Sequence, residues 1–435
     1  MIVGGGFTGL TAAYELSKQS GVSITLIESS DQLGGLAGGF CLLGTMLEKA
    51  YHHLFLTDTC ILSLVEELGL SERLKWFDSS MGIYRDRRTH PFMTPMDLLR
   101  FSPCSLMGRL RVGATAFYLK KQKNWRGLIT QRASEWMRRA CGASAMATIW
   151  TPLLKGKFDE HADAVSMAWL WARIHSRSNS RKGVGGREQL GYFQGGFAAL
   201  SSRLEERLRQ RDVRIRLGTK VEGFKAGEQM LTCGGVSEAY DACIFTGSSA
   251  AFSGLLPADP QLVTYKEKLL SIKYLGALSL IFVSDQEVGE QYWLNVNEPD
   301  APFLVFINHT RLVGKQWYQG RCVYYLGAYL PMESRFFAMS EDVLAAEWWV
   351  YLRKIFPAFD PVRVSERHVF RFKAAQHIVD TDYESRIPDY RTPLAGVFLS
   401  NFSQVFPHDR GTNWAVSEGQ KIARMVLKEI GKQAT

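Results

Sequence analysis

The chain has 435 residues, which is long for one simple core and suits two intertwined domains. Its composition, 46% hydrophobic and 22% charged, is ordinary for a globular protein. The net charge of +9 permits nucleic-acid binding, but no nucleic-acid-binding motif accompanies it. The seven cysteines form no CxxC pair, and no Cys or His spacing is typical of a structural metal site. We therefore expect reduced thiols, no metal and no nucleic-acid partner.

The N-terminus lacks the basic region and apolar core of a signal peptide, because Met1–Gly4 is the end of a strand that runs into glycines. The longest apolar runs, such as 275–283, are far shorter than the roughly 20 residues needed to span a bilayer. We therefore expect a cytoplasmic protein that does not cross a membrane.

Hydrophobic periodicity predicts short strands alternating with helices. In chain order we predict a strand at 2–3, a helix at 10–19, a strand at 23–27, a helix at 61–68, helical spacing with little β signal from about 85 to 182, a linker at 177–186, a helix at 195–211, strands at 213–217, 220–224 and 242–246, an antiparallel sheet over 272–329, a helix at 341–356, a strand at 396–400 and a helix at 413–430.

The positive charge is concentrated in one segment. Residues 85–187 contain 20 Lys and Arg but only 6 Asp and Glu. One interpretation is a set of solvated helix faces. The other is a patch for anionic lipid headgroups, at the inner face of a membrane, or for a phosphorylated substrate.

A glycine-rich turn lies between the first predicted strand and helix. Gly4, Gly6 and Gly9 fit GxGxxG. The first glycine permits the tight turn, the second lets the backbone approach a pyrophosphate, and the third allows close helix–strand packing. The helix N-terminus offers free N–H groups to the phosphates. Glu28, at the end of the second strand, is placed to accept the ribose hydroxyls, so the turn predicts a dinucleotide site.

A second glycine pair, Gly34-Gly35, follows at once, and NAD-only domains do not need this extension. Glu28 together with this pair resembles the E-x(5–6)-G-G motif of the flavin amine oxidase superfamily, which includes protoporphyrinogen oxidase and phytoene desaturase. Four more segments are similar to motifs of that superfamily, namely 194–197, 241–246, 396–401 and 415–419. The resemblance implies FAD as the cofactor.

The resemblance also implies the FAD contacts. Gly35 and Leu36 would lie along the pyrophosphate and flavin, Val221 would pair with the adenine, and Asn401 replaces the usual acid near the ribityl chain. The predicted cofactor-binding residues are Gly4, Gly6, Phe7, Thr8, Gly9, Glu28, Ser29, Gly34, Gly35, Leu36, Val221, Asn401, Asn413, Trp414 and Ala415.

Two segments, 48–58 and 406–414, are the best candidates to face the flavin ring. His52 and His53 could act as general acid or base, or be packed polar groups. Adjacent residues on a strand face opposite ways, so at most one is expected to meet the flavin, and we favour His53 as catalytic.

Asp409 and Arg410 could form an ion pair that binds substrate, with Asp409 as a second catalytic residue, or a pair that only stabilises the loop. Tyr51, Trp414 and His52 are candidates for substrate contact, although Tyr51 and Trp414 fit a packed core equally well.

Two departures argue against an ordinary monoamine oxidase. Leu280 stands where the resemblance implies a lysine near flavin N5, and Gly411 stands where it implies a tyrosine of the amine cage. Residues 53–58 are also similar to the H-[IL]-F-x-T-[ND] stretch of the UDP-galactopyranose mutase family, whose members use reduced FAD as a nucleophile without net redox.

The expected fold is α/β. A Rossmann-like FAD-binding domain (1–85, 190–250 and 390–435) interleaves with an α+β substrate domain made of a helical insert (86–189) and a mixed or antiparallel sheet (251–389). We hypothesise an FAD-dependent oxidoreductase that takes a hydride from a largely apolar C–C or C–N substrate onto flavin N5, with O₂ or another acceptor reoxidising the flavin. A porphyrinogen, a polyene or another biosynthetic intermediate, hydrophobic or phosphate-bearing, would fit. The alternatives are the mutase chemistry and a flavin-retaining protein without turnover.

Overall fold

The computed structural model of the protein describes residues 1–180 and 188–431. Its strands are β1 Ile2–Val3, β2 Thr25–Ile27, β3 Gly39–Leu42, β4 Thr45–Glu48, β5 Leu54–Phe55, β6 Leu74–Asp78, β7 Met81–Arg85, β8 Arg88–Pro91, β9 Gln189–Phe193, β10 Arg214–Arg216, β11 Val221–Phe224, β12 Met230–Cys233, β13 Val236–Ala239, β14 Cys243–Phe245, β15 Tyr274–Ser284, β16 Trp293–Val296, β17 Val305–Asn308, β18 Cys322–Leu330, β19 Val364–His377 and β20 Val397–Leu399.

The helices are α1 Phe7–Leu16, α2 Thr59–Glu67, α3 Pro95–Arg100, α4 Leu106–Lys121, α5 Ala133–Cys141, α6 Ala143–Ala145, α7 Thr151–Phe158, α8 Met167–Asn179, α9 Ala198–Arg209, α10 Ser249–Leu255, α11 Val263–Leu270, α12 His309–Val313, α13 Glu341–Ile355, α14 Tyr383–Arg386 and α15 Thr412–Glu429. Within the described residues, none of them combines the length and the apolar character that a membrane span requires.

A five-stranded parallel sheet, in the order β10-β2-β1-β14-β20, contains β1 and β2, the two strands on either side of the glycine-rich turn and α1. Strands β14 and β20 are apolar and fully buried, as expected for a parallel sheet covered on both faces. Ile2 pairs with Leu26 on one side and with Ile244 on the other. Because the strands run in parallel, the carboxyl ends of β1, β2, β14 and β20 meet at one edge.

A seven-stranded mixed sheet, in the order β19-β15-β18-β17-β16-β7-β8, forms the second layer. The antiparallel sheet predicted over 272–329 is confirmed for β15, β16, β17 and β18. The prediction is wrong in one respect, because helix α12 follows β17. The parallel pairing of β16 with β7 makes the sheet mixed, which is one of the two predicted forms. The parallel sheet and the separate mixed sheet confirm the predicted α/β fold class, while the residue limits of the two domains stay a prediction.

The helical insert runs from α3 to α8 around a core of its own that includes Trp169, Phe158 and Met137. The helical prediction for 85–182 is wrong at its start, because β7 and β8 form a hairpin there. The predicted linker at 177–186 is also wrong in part, since its first three residues end α8; its residues 181–186 lie outside the described part of the chain.

The helix predicted at 195–211 begins later, at Ala198, because Gly195 and Gly196 take positive φ angles of 87° and 67° in the turn before it. Helix α15 covers the predicted 413–430 within one residue at each end.

Candidate active site

A cavity of about 440 Å³, the glycine-loop cavity, opens at the carboxyl ends of the parallel strands. Four of the five strand ends contribute a wall residue: Gly4 after β1, Glu28 after β2, Thr246 after β14 and Asn401 after β20. Its other walls include Gly6, Phe7, Thr8, Gly34, Gly35, Leu36 and Ala415.

The glycines of this cavity are required by close contacts. Gly4 has a φ of +109°, and a Cβ there would lie 2.3 Å from the Thr246 hydroxyl oxygen. A Cβ on Gly9 would lie 2.0 Å from the Gly4 carbonyl oxygen, so Gly9 serves packing, as predicted from its position in the motif. Gly35, with a φ of +56°, would bring a Cβ within 3.0 Å of the Gly6 Cα. The two glycine loops therefore touch, and bare backbone borders the cavity.

Glu28 is held at the rim of the cavity by its own loop. Its Oε2 accepts the Gly5 N–H at 2.6 Å, and its Oε1 accepts the backbone N–H and the hydroxyl of Ser30, each at 2.8 Å. Each carboxylate oxygen offers about two lone-pair sites, and Oε2 has only the Gly5 N–H as a donor among the described residues, so Oε2 can still accept a ribose hydroxyl. Ser29 donates to the same oxygen at 3.2 Å but is not part of the cavity wall.

The other predicted cofactor residues divide by position. Val221 lies in an apolar core, 5% exposed, outside the cavity wall. Asn413 and Trp414 line a different cavity, described next. Asn401 borders the glycine-loop cavity, where its side-chain amide donates to the Gly247 carbonyl at 2.8 Å. The bare glycine backbone, the acid at β2 and the N-terminus of α1 together fit the pyrophosphate and ribose of FAD.

A second cavity of about 420 Å³, the central cavity, adjoins the first. The two share His52, Arg410, Gly411 and Thr412 in their walls. Much of the central cavity is apolar, with walls that include Met81, Ile83, Phe92, Ile149, Leu153 and Leu304. Helix α15 begins at this junction, so the positive end of its dipole lies between the two cavities.

His52 and His53 occupy different places. His52 borders both cavities and a third of about 50 Å³ against β15 and β18. Its Nδ1 lies 2.7 Å from the Ala50 carbonyl oxygen. Since a carbonyl can only accept, Nδ1 carries the hydrogen and Nε2 keeps its lone pair. Burial lowers the pKa of His52 to about 4, so the ring is neutral near pH 7.

His53 lines the central cavity but neither of the other two cavities. Its Nδ1 lies 3.3 Å from the Tyr292 hydroxyl, and its ring packs edge-on against Phe55. Burial lowers its pKa to about 3. The expectation that the two histidines face opposite sides of a strand is wrong, because β5 begins only at Leu54. The structure therefore places His52, rather than the favoured His53, at the junction of the cavities.

Asp409 binds two cations from the helical insert. Its Oδ2 accepts from Lys157 of α7 at 2.6 Å and from Arg173 of α8 at 2.8 Å. Burial alone would raise the pKa of Asp409, but these two cations hold it below its ordinary value. Arg410 instead donates to the Tyr329 hydroxyl at 2.9 Å. This differs from the predicted Asp409–Arg410 pair, whose members each find a partner far away in the chain.

Cations exceed acids around the central cavity. Lys157, Arg173, Arg177 and Arg410 line it, against Asp58 and Asp409. Oδ1 of Asp409 and Nε of Arg410 are buried and have no hydrogen-bond partner among the described residues. The cavity therefore combines apolar walls with a cationic region that suits an acidic group.

The comparisons with known proteins agree with this geometry. The family model described as flavin containing amine oxidoreductase matches residues 7–426. The chain belongs to this family. Its cofactor is accordingly FAD.

Two curated proteins and one solved structure illustrate what the chain is similar to. Coproporphyrinogen III oxidase of Mycobacterium leprae (strain TN) is 31% identical over 178 residues, 38% of this chain and 38% of the relative. Protoporphyrinogen oxidase 2, chloroplastic/mitochondrial, of Arabidopsis thaliana is 25% identical over 240 residues, 53% of this chain and 45% of the relative. The chain thus spans less than half the length of these two relatives. The structure of reduced UDP-galactopyranose mutase aligns with a TM-score of 0.77 at 15% identity, covering 98% of this chain and 95% of that one, which shows the shared fold.

The sequence predicts that two positions of this chain differ from those of an amine oxidase with a lysine and an aromatic cage. Leu280 is fully buried in the core beside the mixed sheet. Gly411 borders both cavities, and a Cβ there would meet nothing within 4 Å. Open space therefore stands where the resemblance implies a tyrosine.

Among the residues of the central cavity that sequence reasoning missed are Lys157, Arg173, Arg177 and Tyr329. Burial alone would raise the pKa of Tyr329, but Arg410 and Lys157 bring it below its ordinary value. The one available signal was the excess of basic residues in 85–187, which contains the first three. That signal gave no position for any single side chain.

Proposed function

We propose that the protein oxidises a largely apolar substrate that carries an acidic group, by removal of a hydride and a proton across a C–C or C–N bond. The central cavity supports this, because it borders the glycine-loop cavity and pairs apolar walls with the buried Lys157 and the half-buried Arg173 and Arg410. When bound, FAD supplies the two-electron acceptor, and O₂ or another oxidant takes the electrons onward.

The residues of the chain then have separate tasks. Lys157, Arg173 and Arg410 hold the acidic group and so orient the substrate. His52, neutral and with Nε2 as an acceptor, receives the proton at the junction of the cavities. Asp409 positions Lys157 and Arg173 instead of meeting the reacting atoms. The apolar walls exclude water from the bond that is oxidised.

The names of the relatives suggest a substrate to test. A porphyrinogen is a broad apolar macrocycle with carboxylates at its edge, which matches the division of the central cavity into apolar walls and cations. Polyenes, which the sequence analysis also named as possible substrates, lack an acidic group and would leave the cations of the central cavity without a substrate partner.

Anaerobic titration of the flavin-loaded protein tests the proposal. We expect coproporphyrinogen III, or another apolar carboxylate, to bleach the oxidised flavin. Arg173→Gln should weaken binding of that substrate about 10-fold, as for the loss of one charge-assisted contact. Arg209→Gln, on the exposed face of α9, is the matched control and should bind as the wild type does. If no apolar acid bleaches the flavin, the proposal fails.

A mutase-like reaction is the second candidate. The segment similar to the UDP-galactopyranose mutase family supplies His53, Phe55 and Asp58 to the wall of the central cavity, where the cations would also fit a diphosphate. Assaying the prereduced protein with UDP-galactopyranose distinguishes the mutase reaction from the oxidase reaction. Sugar-ring interconversion without net oxidation, together with no bleaching by apolar acids, would establish this chemistry in place of the oxidase.

A further inference from the structure

Helices α3 and α4 carry an apolar surface that nothing in the described chain covers. Thirteen large hydrophobic side chains are markedly exposed in the described residues, and seven of them lie between 96 and 118. They are Met96, Leu99, Leu106, Met107, Leu110, Phe117 and Tyr118, each at least 41% exposed. We call these seven side chains the α3–α4 face.

Helix α4 has two apolar sides. One, with Val112 and Leu119, is buried in the core of the insert. On the other side, Leu106, Leu110 and Phe117 follow one another at spacings of four and seven residues, which place them along a single helical stripe. A surface helix ordinarily turns polar side chains outward, so this second stripe needs an apolar surrounding.

The face is held rigidly. Arg109 of α4 donates to the carbonyls of Leu99, at the end of α3, and of Cys104. Arg111 donates to the Ala140 carbonyl at 2.8 Å, which ties α4 to α5. The apolar side chains therefore project from a fixed platform and are not the product of a loose segment.

The same region is strongly basic. Residues 95–126 contain seven Lys and Arg and one acid, Asp97, whose carboxylate caps α3. Arg100, Lys120, Lys121 and Lys123 are exposed around the apolar stripe. Basic residues flanking an exposed apolar helix face are typical of helices that lie in the headgroup region of an anionic membrane.

We propose that the α3–α4 face docks on an anionic phospholipid surface. A second copy of this chain fits less well, because a symmetric interface would bring one basic region against another. The face also adjoins the site. Phe92 of the central cavity packs on Phe101 at the end of α3, and α8, which carries Arg173, packs on α4. Docking would thus bring the central cavity close to a source of apolar substrate.

Vesicle flotation of the flavin-loaded protein tests this proposal. With phosphatidylcholine–phosphatidylglycerol vesicles at low salt we expect the protein to float, with less bound at high salt and little on phosphatidylcholine alone. The double variant Leu110→Glu with Phe117→Glu should lower vesicle partitioning about 10-fold or more. Val350→Glu, which changes a 64%-exposed valine on α13, is the matched control and should float as the wild type does. Flavin content and thermal midpoint of all variants should be equal.

Three outcomes would overturn the proposal. One is a wild-type protein that stays unbound on anionic vesicles. Another is an α4 variant that floats as well as the valine control. The third is a wild-type dimer that the α4 variant converts to a monomer, which would assign the face to a second copy of the chain. Since the readout is vesicle partitioning, it is independent of whether the oxidase proposal holds.

Discussion

Gly6 allows cofactor binding to be separated from folding at a single residue. Its φ is −73°, which any residue adopts, and the nearest heavy atom to a Cβ there is the Gly35 Cα at 3.8 Å. We expect Gly6→Val to fold but to bind FAD at least about 10-fold more weakly, because its methyl groups take the space of the pyrophosphate. The ratio of flavin to protein absorbance after purification measures this. Gly254→Val is the control, because no atom lies within 4 Å of a Cβ at that position, and it should keep the flavin content of the wild type. Equal flavin content in the two variants would contradict the assignment of Gly6 to the pyrophosphate site.

The glycines of the loop were predictable from the sequence, whereas the charge pairs were not. Gly4 and Gly9 are required by contacts within one turn or with the adjacent strand, and such local geometry leaves a fixed spacing in the sequence. Asp409 finds Lys157 and Arg173 more than 230 residues away, and nothing local marks those partners. Because Arg410 is next to Asp409 in the sequence, it was predicted to be the partner of Asp409, but it donates a hydrogen bond to Tyr329 instead.

At the scale of elements, the close packing of α15 on α1 fixes the position of Thr8, which lines the glycine-loop cavity. A Cβ on Gly419 of α15 would lie 2.6 Å from the Thr8 carbonyl oxygen and 2.7 Å from the Thr11 Cβ. Gly419→Val must push the helices apart, and such overpacking costs about 1–3 kcal/mol. Since Thr8 borders the glycine-loop cavity, we expect weaker FAD binding as well as a lower free energy of unfolding in urea. Arg424→Val, on the exposed side of α15, is the control and should change neither.

The elements that the sequence predicted well are those whose pattern is local. Helix α15 and strands β1 and β14 follow from apolar periodicity and flanking glycines. The β7–β8 hairpin was missed because Asp86 and Arg87, instead of glycines, take positive φ in its turn, at 53° and 57°. Arg88–Pro91 also has no apolar alternation, so its strand depends on pairing with β7.

At the scale of the whole molecule, buried histidines couple stability to pH. Five of the nine histidines have pKa values lowered by burial to about 3 or 4, namely His52, His53, His309, His377 and His408. Their burial depends on several cores and cavities at once, which is why it could not be predicted from the sequence. In the folded chain they stay neutral at a pH where the unfolded chain is protonated.

As the pH falls below about 6.5, the unfolded chain binds protons that the folded chain does not, so the free energy of unfolding falls until the pH reaches 3–4. His309, 3% exposed, should contribute up to about 1.4 kcal/mol per pH unit in this window, and the cavity histidines less, because they remain partly exposed. We expect urea unfolding between pH 7.5 and 5 to show a steep loss of stability. His309→Gln should flatten that slope, whereas Tyr318→Phe, which removes the hydroxyl 2.9 Å from the His309 ring but keeps the histidine, should lower stability without flattening it. Equal slopes in the two variants would mean that His309 does not remain neutral in the fold.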